Sequence, residues 1–222
     1  MRDLGGLRTH DGRTTSWGAI VRADDLDRLT DAGWSALESY GVRTLVDLRN
    51  DQERGPRPDR VATVHVPLDD TADTDFWEAC WAEELDGSPL YYRSFLELKP
   101  ERCAAAIVAA AGAGPGGIVI HCGAGRDRTG LISVLLLALA GVVPEDIVAD
   151  YELSNVRLQR LWARQGEDDQ SAVIAEILRR KNTSARELLL DLLASFDVEA
   201  YLRSAGLGDD DLAAVRARLL AY

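Results

Sequence analysis

A chain of 222 residues can build one domain with a substantial core and does not require two. Its 46% hydrophobic content is that of a soluble globular protein, and no apolar run approaches the roughly 20 residues of a membrane span, so no stable membrane association is expected. The balance of 25 basic against 37 acidic residues, a net charge of −12, argues against nucleic acid as a partner, because such proteins turn basic surface to phosphates.

In chain order, residues 19–22 read as a short strand and 34–40 as a helix closed by Gly41. Segments 43–48 and 61–66 alternate or run apolar in the β-branched manner of strands. Helical stretches are predicted at 75–85, 89–98 and 101–112, the last stopped by Gly112, Gly114, Pro115 and Gly116. Residues 118–121 form the next strand. From Thr129 onward the pattern is helical, with breaks at 141–144, 166–168, 182–184 and 206–208. Strands interleaved with helices, then a helical tail, predict an α/β fold: a small, largely parallel central sheet flanked by helices, with a helical C-terminal half, all in one domain over 1–222.

Three cysteines at irregular spacing suggest neither a zinc site nor a disulfide framework, and their odd number favours a reducing compartment. Cys80 and Cys103 are expected to be packing residues. The N-terminus lacks a signal-peptide pattern, which makes cytoplasmic residence the expectation, with secretion by another route left open. Only Lys99 and Lys181 among the basic residues are lysine, a bias we read as the mark of a GC-rich bacterial genome.

Chemistry concentrates at 121–130, HCGAGRDRTG, directly after the apolar run of residues 117–120. A buried strand delivers Cys122 to a tight turn that runs into an apolar helix. Gly123 and Gly125 let the chain curl, so that the amides of Gly123, Ala124, Gly125, Arg126, Asp127 and Arg128 can form an anion nest at the helix N-terminus. A thiol there is expected to ionise well below the free value of about 8.5. Arg128 would close the ring, its planar fork holding two phosphoryl oxygens at once. Thr129 would donate to the thiolate, and His121 would organise the loop. Asp47, Arg49, Glu53 and Arg54 form a charged cluster read as an ion-pair network behind the loop. Trp77, Trp81, Tyr91, Tyr92 and Trp162 are read as core or cover, with one or two available to line an entrance.

HCGAGRDRTG resembles the signature loop of the cysteine-dependent protein tyrosine phosphatases, and most closely that of the bacterial tyrosine phosphatase family, whose loop usually reads HCxAGKDRTG. The resemblance extends to RDLGGLRTHDGR at 2–13, VRADDLDRLTDAG at 21–33, TLVDLRNDQER at 44–54, GVVPEDIVADYELSN at 141–155 and AYLRSAGLGDDDLAAVRARL near the C-terminus, nearly the whole chain. Arg126 stands where the family often has Lys. Met1 directly precedes a motif that usually follows further residues, which points to a late start site or a chain boundary.

The resemblance implies a phosphatase that forms a thiophosphate on Cys122, acting on phosphotyrosine in proteins, with phosphoinositides, small phosphate esters or binding without turnover as the alternatives. A sulfurtransferase or arsenate reductase with a similar anion loop is a further rival, weakened by the Arg128-Thr129-Gly130 ending. No cofactor or metal is implied, and the partner is the phosphorylated substrate itself. The resemblance also implies that Asp127 protonates the leaving oxygen; Asp69 or Asp70, placed after a strand as mobile acids are in other cysteine phosphatases, is the competing assignment. Relatives carry a helical lid. Residues 155–183, two amphipathic helices about an acidic turn at 166–169, are therefore either a hairpin fixed on the domain or such a lid.

Overall fold

The computed structural model describes residues 1–56, 59–165 and 170–220, with the backbone alone at 160, 161, 164 and 165. The acidic turn expected at 166–169, and the side chain of Leu161 assigned to the hairpin's apolar face, lie outside the described residues.

Five strands, β1 (Arg2–Asp3), β2 (Ile20–Ala23), β3 (Val42–Asp47), β4 (Ala62–His65) and β5 (Gly117–His121), form one sheet in the order β1-β2-β5-β3-β4. Within this sheet, among the described residues, the β1–β2 pair alone is antiparallel. β2, β5, β3 and β4 run parallel, as the interleaved pattern predicts. The two-residue β1 carries no periodicity and went unread.

The helices are α1 (Asp31–Ser39), α2 (Thr74–Ala82), α3 (Tyr92–Leu98), α4 (Pro100–Ala111), α5 (Arg128–Leu139), α6 (Pro144–Gln165), α7 (Gln170–Arg180), α8 (Ala185–Ser195), α9 (Val198–Ser204) and α10 (Asp209–Leu219). Their starts carry the chemistry that orphaned amides need. Side chains of Thr30, Asp73, Ser184 and Asp197 cap α1, α2, α8 and α9. The helix expected at 89–98 divides into a 3₁₀ turn, Pro89–Tyr91, and α3, because Pro89 opens a tight turn capped by Ser88.

Alternating strand residues separate two cores, as the period of two requires. Ile118 and Ile120 of β5 face the larger one, built with α4, α5, α8, α9 and α10. Val119 faces the smaller, where Trp34 and Leu37 of α1 pack on Val21, Val42 and Leu45. Helix α5 is apolar on nearly every side and buried over almost its whole length, a central helix without a solvent face.

The register decides where function can sit. His121 of β5 lies level with Ala23 of β2 and with Asp47 of β3, which in turn pairs with His65 of β4. The C-terminal ends of four parallel strands therefore finish together, and the segments that follow share one edge. In open parallel sheets that edge is where ligands bind.

Candidate active site

The loop between β5 and α5 is fixed from several sides. Gly125 has φ +68°, and a Cβ there would sit 2.4 Å from the Ala23 carbonyl oxygen, so only glycine fits. Gly123, expected to share that role, has ordinary backbone and space for a methyl group, with nothing closer than 3.7 Å. The Gly123 carbonyl accepts from the Asp25 amide (2.9 Å). The Gly125 carbonyl accepts from the Arg22 guanidinium (2.9 Å) and the Asp127 carbonyl from the Tyr92 hydroxyl (2.8 Å). Burial pushes Tyr92 well above the usual tyrosine range, so it remains a donor. No peptide bond is cis among the described residues, and in a trans peptide the N–H opposes the C=O. With these carbonyls drawn outward, the amides of Ala124, Arg126 and Arg128 point the other way. The Gly125 amide donates to Cys122 Sγ at 3.2 Å, and Cys122 itself is buried.

Arg22, Asp150 and Arg2 are the residues that the sequence reading missed. Arg22 is buried in a strand, pairs with Asp150 at 2.7 Å and grips the Gly125 carbonyl. Arg2 pairs with the same carboxylate at 2.6 Å and donates to Ser154 at 2.9 Å. Burial pushes the Asp150 carboxyl up, but Arg22 and Arg2 outweigh it and hold the pKa below the ordinary value. An arginine inside the run Ile20-Val21-Arg22-Ala23 was the available signal, since a buried guanidinium must have a partner.

Arg128 is held by both oxygens of Glu53, at 2.5 and 2.7 Å, and by Asp69 at 3.2 Å. Burial lowers the Arg128 pKa, but Glu53, Cys122 and Asp69 raise it to a net increase. Glu53 is aimed by a 3₁₀ turn, Asp51–Glu53, in which its carboxylate accepts from the Asn50 amide at 2.7 Å. The rest of the charged cluster forms a clamp: Arg49 is buried and reaches Asp25 (2.8 Å), Asp27 (2.8 Å) and Asp47 (3.0 Å), tying the segments after β2 and β3 together. Arg54 lies 3.4 Å from Asp47, and His121, fully buried, lies 3.5 Å from it. Among the described residues the buried Thr129 hydroxyl has no hydrogen-bond partner, so the expected bond to the Cys122 sulfur is not formed.

The three candidate acids separate. Asp127 faces the cleft, with its carboxylate paired to the neighbouring Arg126 at 3.1 and 3.4 Å. Asp69 also faces the cleft and accepts from Asn50 Nδ2 at 3.3 Å; burial raises its pKa above the ordinary value despite Arg128. Asp70 is turned away, bonded to Lys99 at 3.2 Å and Arg102 at 3.1 Å, and does not line the cleft. Its bonds anchor the segment after β4 to the start of α4.

The cleft above the loop has a volume of about 410 Å³. Arg126, Asp127, Arg128, Ala124 and Asp69 form its floor, and Trp77, Trp81 and Tyr91 its apolar wall. Tyr92 belongs to the core. Trp162 of α6 stacks over Arg126, its ring centre 5.8 Å from the guanidinium carbon, and Gln170 at the start of α7 borders the cleft. Among the described residues no group of His, Cys, Asp and Glu could hold a metal ion.

A mostly parallel sheet thus ends its central strand in a Cys-x5-Arg loop at the N-terminus of a helix. The tyrosine phosphatase family profile matches residues 1–221, and the chain belongs to that family, whose named members are phosphoric monoester hydrolases. A triple specificity protein phosphatase, PtpB, of Mycobacterium tuberculosis is 30% identical over 85% of this chain and 79% of its own length. A tyrosine-protein phosphatase of Nostoc commune is 34% identical over 61% of this chain, and a putative tyrosine-protein phosphatase of Cupriavidus necator is 30% identical over 70%. The matches span about half of the Nostoc protein and 60% of the Cupriavidus one.

Proposed function

We propose that the protein is a cysteine-dependent phosphatase hydrolysing phosphomonoesters, with phosphotyrosine on proteins as the first substrate class. The observation that carries this reading is the placing of Cys122 Sγ under the Gly125 amide, beside an Arg128 oriented by Glu53. In the proposed reaction the Cys122 thiolate attacks phosphorus in line, an S–P bond forms and the P–O bond to the leaving oxygen breaks. Charge on the equatorial oxygens is met by the loop amides and by Arg128. Water then cleaves the S–P bond, releasing phosphate and restoring the thiol.

The leaving oxygen needs a proton, and we assign its donor to Asp69. Burial favours the neutral form of Asp69, whereas the Asp127 carboxylate is already engaged by the neighbouring Arg126 guanidinium at 3.1 and 3.4 Å. A bound phosphate dianion beside Asp69 would raise its pKa further. Trp77 and Tyr91 give the cleft the apolar wall that a phosphotyrosyl ring requires. Cytoplasmic residence belongs to the same reading, because the nucleophile must stay a reduced thiol.

The test is turnover of p-nitrophenyl phosphate with Cys122→Ser as the control. The substitution is expected to lower kcat by at least about a hundredfold and to leave phosphopeptide binding in place, with a phosphorylated Cys122 recovered by mass spectrometry from quenched wild-type reactions. Activity retained in the Ser variant would rule out the covalent route.

A further inference from the structure

Above a floor on which the Arg126 and Arg128 guanidiniums are already paired with Asp127, Glu53 and Asp69, the cleft wall carries further acidic groups. Helix α2 presents Thr74, Trp77, Glu78 and Trp81 to the cleft, positions that share one face of a helix, and Asp86 faces it from the following turn. Glu78 and Asp86 are exposed, and among the described residues the carboxylate of neither makes a hydrogen bond or ion pair. Trp81 is 60% exposed, a large ring left bare at the mouth. On the floor, Arg126 is buried, and among the described residues its Nη1 has no hydrogen-bond partner. An anion on this floor would lie against the guanidinium groups of Arg126 and Arg128, both of which line the cleft.

The cleft thus combines guanidinium groups on its floor with free carboxylates and an open indole on its wall. A ligand that matches both levels has a phosphate at one end and a cation close beside it. An arginine or lysine within one or two residues of the phosphorylated residue meets that demand, since an extended chain advances about 3.3–3.6 Å per residue. Its charge would pair with Glu78 or Asp86 while its stem or guanidinium lies on Trp81. A headgroup carrying further phosphates would set those against the same carboxylates. We propose that the cleft selects phosphoprotein segments in which a basic residue flanks the phosphorylated one, and that Glu78, Asp86 and Trp81 are its specificity determinants. This rests on the phosphatase reading and names the substrate class within it.

The experiment compares kcat/KM on matched phosphotyrosyl peptides with Arg or Glu flanking the phosphotyrosine, and on soluble inositol bisphosphate. Exposed charge pairs are individually weak, so two together predict a preference for the Arg peptide of about tenfold at low salt, shrinking as salt is added. That ratio is expected to fall toward one in Glu78→Gln/Asp86→Asn and to invert in Glu78→Lys/Asp86→Lys. Being a ratio within each variant, it is insensitive to any general loss of activity. A ratio of one in the wild type, a ratio untouched by the charge reversals, or inositol bisphosphate exceeding the Arg peptide would overturn the proposal. Turnover of p-nitrophenyl phosphate by the wild type separates the two levels: if it proceeds without a peptide preference, only the specificity inference fails. If no phosphate ester is turned over, the phosphatase reading fails and takes the inference with it.

Discussion

Asp69 and Asp127 lie on the same cleft floor and differ in what surrounds their carboxyl groups. Asp69→Asn is expected to slow phenyl and alkyl phosphates by about a hundredfold or more and p-nitrophenyl phosphate far less, because only a poor leaving group depends on protonation. In the proposed role the working form of Asp69 is the acid, and its pKa is raised by burial. Turnover of the poor leaving group should therefore hold at low pH, decline as pH rises through that pKa, and lose the declining limb in the Asn variant. The same pattern in Asp127→Asn, with Asp69→Asn unaffected, would transfer the role to Asp127. Proximity of Cys122, Asp127 and Arg128 was legible because one short loop carries all three. The grip of Glu53 on Arg128 was not, since it joins residues 75 apart and depends on a 3₁₀ turn without periodicity. Arg22 escaped because a single charge in an apolar strand reads as an edge or surface position until the buried Asp150 is found beside it.

At the scale of elements, the sheet was legible because β2, β3 and β5 run apolar and the helices between them are long enough to be periodic. Their common edge was not, because register comes from pairing and not from any one strand. Beyond the strand pairing, ion pairs tie this edge together. Arg49 joins Asp47, at the end of β3, to Asp25 and Asp27 beyond β2. Burial pushes the Asp47 carboxyl up, but Arg49 and His121 prevail and hold its pKa at about 2, against an ordinary 3.8. A depressed pKa means that the folded state favours the carboxylate, so this stabilisation is complete above the unfolded pKa and disappears as pH falls toward the folded one. At about 1.4 kcal/mol per pKa unit the contribution is on the order of 2 kcal/mol. Denaturant titrations should find the stability gap between wild type and Asp47→Asn constant above about pH 5 and narrowing by that amount between pH 4 and pH 2. A gap that does not change across this range would mean that Asp47 is not held as an ion by its neighbours.

For the whole molecule, the decisive relation is between the α6–α7 segment and the loop it meets. Trp162 of α6 is buried against Arg126, while α7 reaches the far side of the cleft, where Ile174 packs beside Gly87 and Arg180 pairs with Glu84 at 2.5 Å. The two helices thus touch the loop and the opposite wall, and Cys122 in that loop is only 2% exposed. The sequence pattern showed two amphipathic helices but left open what their apolar faces cover, because amphipathicity gives a direction and no address. We expect this segment, 155–183, to act as a lid that limits access of oxidants to the thiolate. The Arg126 contact is a single cation–π stack, worth about 0.5 to 2 kcal/mol, which is small enough to break and re-form during substrate entry. Trp162→Ala should then raise the rate of peroxide inactivation several-fold, by the factor that this energy implies, with circular dichroism and the melting transition showing the fold retained. Adding phosphate or vanadate should suppress inactivation in both proteins, since an anion in the loop covers the sulfur directly. If the folded Trp162→Ala protein loses activity to peroxide no faster than wild type, the helices are fixed scaffold, and protection of Cys122 comes from the loop alone.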